Sequence, residues 1–117
     1  MDDISQILTE LESFREERDW KQFHHLHQLA AAISIEAAEL QELFLWKTED
    51  EIRANLQEDA FRQKISDEVA DILIFALYIL KDIDVDPRDV IAEKIRKNKK
   101  KYPVDLASGK STKYTDL

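Results

Sequence analysis

The chain has 117 residues and a formal net charge of -8, with one glycine, two prolines and no cysteine. That length fits one domain with a modest core. The charge argues against broad nucleic-acid binding, and against an anionic ligand unless a cation or a local basic patch intervenes. Lack of cysteine excludes disulfides and thiolate metal ligands, as suits a cytoplasmic protein. The start, Met1-Asp2-Asp3, is acidic where a secretory or mitochondrial leader would be basic. The longest apolar stretch, residues 72–80, is too short to span a bilayer, so no membrane partner is expected.

Turn residues are almost absent before Asp86, which excludes hairpins and predicts an all-α chain. Asp2 and Asp3 precede a first helix over residues 4–18, with Ile4, Leu8, Leu11 and Phe14 on one face. Its other side, including Glu16, Glu17 and Arg18, reads as solvated. Trp20 and Phe23, among His24, His25 and His27, read as a linker whose aromatics pack down. A second helix is expected over 26–46. Thr48-Glu49-Asp50-Glu51 has the pattern of a capping box and starts a short helix. A further restart near 55–58 precedes a long helix over 59–81. Asp86-Pro87 is an N-cap followed by a proline at the first helical position, which opens a last helix over 87–100. That helix ends in Arg96-Lys97-Asn98-Lys99-Lys100-Lys101, cations that complement its macrodipole. Residues 103–117 lack periodicity and read as an extended or partly disordered tail, with Tyr114 as an anchor on a partner surface; the helical domain is expected to be 1–102.

Two acidic repeats sit within the apolar runs: Glu36-Ala37-Ala38-Glu39 and Glu68-Val69-Ala70-Asp71. Leu29, Ile33, Leu40 and Leu43 mark one face of the second helix, with Glu36 in its middle; Ile65, Val69, Ile72, Leu73 and Ala76 do the same for the long helix. Acids at i, i+3 project the same way. Two such pairs on packed helices bring four carboxylates together, which requires either protonation or a cation. The plain alternative is a solvated seam of the bundle; two matched pairs on successive long helices favour a metal site. All-oxygen ligands suit Mg²⁺ first and Mn²⁺ second. A ferritin-like di-iron site needs Glu-x-x-His, which the chain lacks. The spacing of His24, His25 and His27 does not match a zinc pattern, and no glycine-rich phosphate loop exists. A Mg²⁺-carboxylate site bridging phosphate oxygens remains, with the basic run as counter-charge and Trp20, Phe23 and Trp46 as stacking surfaces for a base.

The residues also resemble a known family. Glu36-x-x-Glu39 with Glu68-x-x-Asp71 is similar to the metal motif of the all-α MazG-like nucleoside triphosphate pyrophosphohydrolases. Glu17-Arg18-Asp19-Trp20 with Phe23-His24, and Glu39-Leu40-x-Glu42-Leu43-Phe44-x-Trp46-Lys47, narrow the resemblance to the dCTP pyrophosphatase branch. Lys94-x3-Asn98, Tyr102-Pro103 and Lys113-Tyr114-Thr115 extend it over nearly the whole chain. The resemblance implies a bundle of four to five helices, assembled as a dimer or tetramer, that hydrolyses a nucleotide between its α and β phosphates. It implies Glu36, Glu39, Glu68 and Asp71 as Mg²⁺ ligands, with Glu36 and Glu39 the first candidates for the catalytic acids. Trp20, His24 and Trp46 match positions lining the base pocket, and Lys94, Asn98 and Tyr102 match the region that meets the phosphates. Three departures stand out. Leu26-His27-Gln28 replaces Pro, a basic residue and Asn; Ile35 replaces an acid found in some relatives; Phe75 stands where close relatives have Tyr. These changes leave the metal motif intact and bear on base preference. The expected function is Mg²⁺-dependent hydrolysis of a dCTP-like nucleotide in nucleotide-pool cleansing. Its rival is a non-catalytic helical oligomerisation module; pyrophosphate release from dCTP separates the two.

Overall fold

The computed structural model describes residues 2–117. Every described element is helical, in the order α1 (Asp3–Glu17), α2 (Leu26–Glu42), α3 (Glu49–Asn55), α4 (Asp59–Asp82), α5 (Pro87–Lys101) and α6 (Val104–Ala107), with 3-10 turns at Lys21–Phe23 and Tyr114–Asp116. No helix of the described residues is long and apolar enough to cross a membrane.

The helix starts follow their capping chemistry. Asp2 accepts a hydrogen bond from the Ser5 amide at 2.9 Å. The Thr48 hydroxyl accepts from the Glu51 amide at 3.1 Å and donates to the Glu51 carboxylate at 3.2 Å. Asp86 accepts from the Arg88 amide at 2.9 Å, with Pro87 in the first turn. Each side chain satisfies an N–H group that the helix itself leaves unpaired.

Two expectations are corrected before α4. The second helix stops at Glu42 instead of running to Trp46, because the chain tightens there into i→i+3 bonds: Phe44 N–H to Gln41 O at 3.1 Å, Leu45 N–H to Glu42 O at 3.3 Å. Trp46 then takes φ 64° and turns the chain towards α3. Phe23, expected to pack down, is 62% exposed. Trp20 is also exposed, at 41%, and lies edge-on to Phe14 (ring centroids 5.6 Å apart), while the half-buried His24 packs against Tyr78 (5.2 Å).

The chain forms two compact units, one ending at Ile83 and one over Asp84–Leu117. In the first, α2 packs mainly on α4, and α1 also meets α4. Leu29, Phe61 and Tyr78 are its buried hydrophobic side chains. Phe44, just past α2, meets Phe61 in the first turn of α4 edge-on at 6.0 Å, so α2 and α4 run antiparallel. Lys47 secures the same corner, its ammonium 4.5 Å from the Phe61 ring and 3.1 Å from Asn55 Oδ1. At the other end α1 is clamped to α4 by Arg15, which is fully buried. Its guanidinium donates to both Asp82 oxygens at 2.9 and 2.8 Å and to Glu12 at 2.6 Å, and lies over the Tyr78 ring.

In the second unit, the stretch after Pro103 is not simply extended as expected. It forms the single turn α6, and the Tyr114 ring comes back edge-on to Tyr102 at 6.0 Å with the Lys101 ammonium over it at 4.6 Å. Aromatic and cation–π contacts, which carry no helical or strand periodicity, order this segment.

Candidate functional site

The antiparallel pairing of α2 and α4 sets the centre of the site. Glu36 lies about 12 Å of helix rise before Phe44, and Glu68 about 10 Å after Phe61, at ~1.5 Å per residue. The corner contact therefore brings the two acids to the same level. Carboxylate oxygens of Glu36, Glu39 and Glu68 all lie within 4.8 Å of one another. Glu36 Oε2 and Glu68 Oε2 are both buried, and no donor among the described residues meets either. Two carboxylates can only accept hydrogen bonds, so facing one another they must share a proton or a cation. The Glu36 carboxyl is accordingly pushed up to about 7, first by its proton-sharing contact with Glu68, then by desolvation and by Glu39, with a further contribution from the charge of Asp71. A hard divalent cation would satisfy the orphaned oxygens and relieve this repulsion, so the donor set fits Mg²⁺ or Mn²⁺.

Asp71, one turn beyond Glu68, lies outside that group of three. It lines an adjoining hollow of about 410 Å³ between α1, the Trp20–His24 segment and α4. Phe14, Trp20, Phe75 and Tyr78 make much of its wall, and His24 and Glu10 are polar residues that line it with Asp71. The aromatic rings follow one another in contact: Phe14 on Trp20, Trp20 on His24 at 6.3 Å, His24 on Tyr78. The Tyr78 hydroxyl donates to Leu11 O at 2.7 Å. Burial, and secondly the Arg15 charge, hold the His24 imidazole below its ordinary pKa, so it is neutral at pH 7.

Of the residues expected from the sequence, the fold thus brings Glu36, Glu39 and Glu68 into one cluster, and Trp20, His24 and Asp71 into one hollow. Trp46 lies outside that hollow and is 92% exposed, so it is no part of the subunit core. Lys94, Asn98 and Tyr102 belong to the second unit, at successive turns of α5 and its C-cap. Lys94 lines a shallow hollow there with Val90 and Lys97.

Sequence reasoning missed Arg15, Asp82, Tyr78 and Glu10. Arg15 had a signal: it continues the series Ile4, Leu8, Leu11 at the next inward position of α1, where a charged residue is buried only with a partner. Glu10 had none, because its place in the hollow depends on the contact of α1 with α4.

Fold and site together define an all-α protein with a carboxylate centre between antiparallel helices, beside an aromatic hollow. The MazG-like family pattern matches residues 31–117. The chain belongs to the MazG-like family. It is 38% identical over 118 residues to dCTP pyrophosphatase 1 of Rattus norvegicus, covering 100% of this chain and 67% of that protein. It is 35% identical over 117 residues to dCTP pyrophosphatase 1 of Homo sapiens, with 100% and 67% covered. The crystal structure of a pyrophosphatase from Archaeoglobus fulgidus superposes with a TM-score of 0.80 at 34% identity, over 88% of this chain and 94% of that one.

Proposed function

We propose that this MazG-like protein is a nucleoside triphosphate pyrophosphohydrolase that requires Mg²⁺, or Mn²⁺ in its place, and acts on dCTP or a related nucleotide. The observation that carries the reading is the acidic cluster Glu36–Glu39–Glu68, in which one buried oxygen of Glu36 and one of Glu68 lack donors, next to an aromatic hollow lined by Asp71. Relatives named dCTP pyrophosphatase 1 and a structural neighbour named a pyrophosphatase support the same reaction.

The reaction is attack of water on the α-phosphorus: a new P–O bond forms to the water oxygen, and the bond to the α–β bridging oxygen breaks. Pyrophosphate leaves, the monophosphate remains, and the water proton passes to a carboxylate. Glu36, Glu39, Glu68 and Asp71 would hold the cation. When bound, it neutralises phosphate charge and acidifies water. Glu36 and Glu39 are the proposed catalytic acids, a reading their grouping with Glu68 supports. The Trp20 and His24 rings would hold the flat base in the hollow by stacking and by excluding water. Trp46 would supply a second stacking face, and Lys94, Asn98 and Tyr102 would meet the remaining phosphates. The protein is proposed to work in the cytoplasm, cleansing the nucleotide pool. It is also proposed to be a homodimer or homotetramer, since Ile7, Phe14, Ile35, Leu73 and Val69 are all exposed in the single subunit. Incubation with dCTP and Mg²⁺ should yield dCMP and pyrophosphate by mass detection. Release of orthophosphate with dCDP, or no turnover with either metal, would refute the assignment.

A further inference from the structure

The hollow beside the acidic cluster contains one charge that hydrolysis does not need. Glu10, on α1, lines it together with the aromatic wall; the other acid there, Asp71 on α4, is one turn from Glu68 and is a proposed cation ligand. The Gln6 amide approaches Glu10 Oε1 at 3.4 Å, a long contact that leaves Oε2 without a donor from it. Glu10 forms none of the ion pairs among the described residues. A carboxylate accepts hydrogen bonds and donates none. Against a triphosphate it can only repel, so its useful counterpart is the uncharged base end of a nucleotide. Beside aromatic walls, it favours a ring edge that carries N–H groups and penalises one that offers a carbonyl oxygen in the same place.

We infer that Glu10 is a specificity-determining residue: its carboxylate accepts a hydrogen bond from the exocyclic amino group of the base and so selects an amino-bearing pyrimidine over its keto counterpart. The inference rests on the activity proposed above and deepens it, by giving base choice to a residue outside the acidic motif. The rest of the hollow contributes shape. Phe75 and the flat rings of Trp20 and Tyr78 suit any pyrimidine and do not tell an amino group from a carbonyl.

The test compares dCTP with dUTP, which differ at that edge. kcat/KM for each is measured with Mg²⁺ in the wild type, Glu10→Gln and Glu10→Leu, and metal-free binding of dCMP and dUMP is measured by calorimetry. Gln keeps the size of Glu and adds an N–H that can donate to a carbonyl oxygen; Leu removes the acceptor. Glu10 is exposed on a helix, so both variants should fold, as far-UV circular dichroism will register. The expected result is a wild-type preference for dCTP that drops by about tenfold or more in both variants, with a parallel drop in the dCMP-over-dUMP binding ratio. A wild type indifferent to the two nucleotides, or variants that keep its preference, would overturn the assignment of Glu10. If no nucleotide is hydrolysed at all, the proposed activity fails. The binding ratio then still decides Glu10: loss of a dCMP preference upholds it, and equal or absent binding overturns it.

Discussion

Glu39 and Trp46 are proposed site residues whose roles single substitutions test directly. Glu39→Gln keeps volume and helix propensity while replacing the carboxylate of a proposed cation ligand with a neutral amide. The variant should fold, bind Mg²⁺ weakly and lose at least ~100-fold in turnover, the scale of removing one key electrostatic group. Wild-type turnover would take Glu39 out of the site. Trp46 combines φ 64° with 92% exposure. A bulky residue in the left-handed region is strained and persists where its surroundings hold it. Here the Phe44–Phe61 contact and Lys47 hold the corner on either side. Because the side chain packs against little within the subunit, Trp46→Ala should change subunit stability by no more than about 0.5 kcal/mol. If Trp46 stacks on the base, KM for dCTP should rise more than kcat falls, since stacking acts in ground and transition states alike. A stability loss of several kcal/mol in the chemical melt would show that Trp46 serves packing instead.

Between elements, the decisive contact is the Arg15 clamp. Arg15 ties α1 to the last turn of α4 and lies over Tyr78, so it also supports the wall of the hollow. Arg15→Met would leave Asp82 and Glu12 without their cation. The cost should be about 3 kcal/mol, the low end for breaking a buried pair, because both carboxylates keep some contact with water. The clamp also has a pH signature. The hydrogen bonds from Arg15 hold the Asp82 carboxyl below its ordinary value of 3.8. Its folded pKa is lower than its unfolded one, so its stabilisation is complete above 3.8 and disappears as pH falls through the lower folded value. Urea midpoints measured from about pH 5 down to about pH 2.5 should therefore fall less steeply in Asp82→Asn than in the wild type. Parallel acid limbs would mean that the pair contributes nothing.

For the molecule as a whole, a cation held by the acidic cluster, as proposed above, would make metal binding and folding one equilibrium. The facing Glu36 and Glu68 oxygens exist together only in the folded α2–α4 pair. Mg²⁺ at ~100 times its dissociation constant should thus add roughly 2.7 kcal/mol of stability. Thermal melts at matched ionic strength, with and without Mg²⁺, measure this. An unchanged midpoint would favour a solvated acidic seam, and Ca²⁺ should stabilise without comparable turnover.

The helices themselves were legible in the one-dimensional pattern. Apolar spacing, the Thr48 and Asp86 caps and Pro87 are local signals, and they set the start of α3 and both ends of α4 and α5 to within a residue or so of those observed. The i, i+3 acids were legible for the same reason, since helix geometry alone aligns Glu36 with Glu39 and Glu68 with Asp71. What required the tertiary structure was every feature set by one helix meeting another. The antiparallel register, fixed by Phe44 on Phe61, put Glu36 opposite Glu68 and left Asp71 to the hollow. The approach of α1 to α4 buried Arg15 and brought Glu10 to the aromatic wall. Periodicity states which face of a helix is apolar; it does not state which residue of another helix that face will meet. Partner identity and register depend on contacts between residues far apart in the chain, and these are decided only when the helices pack.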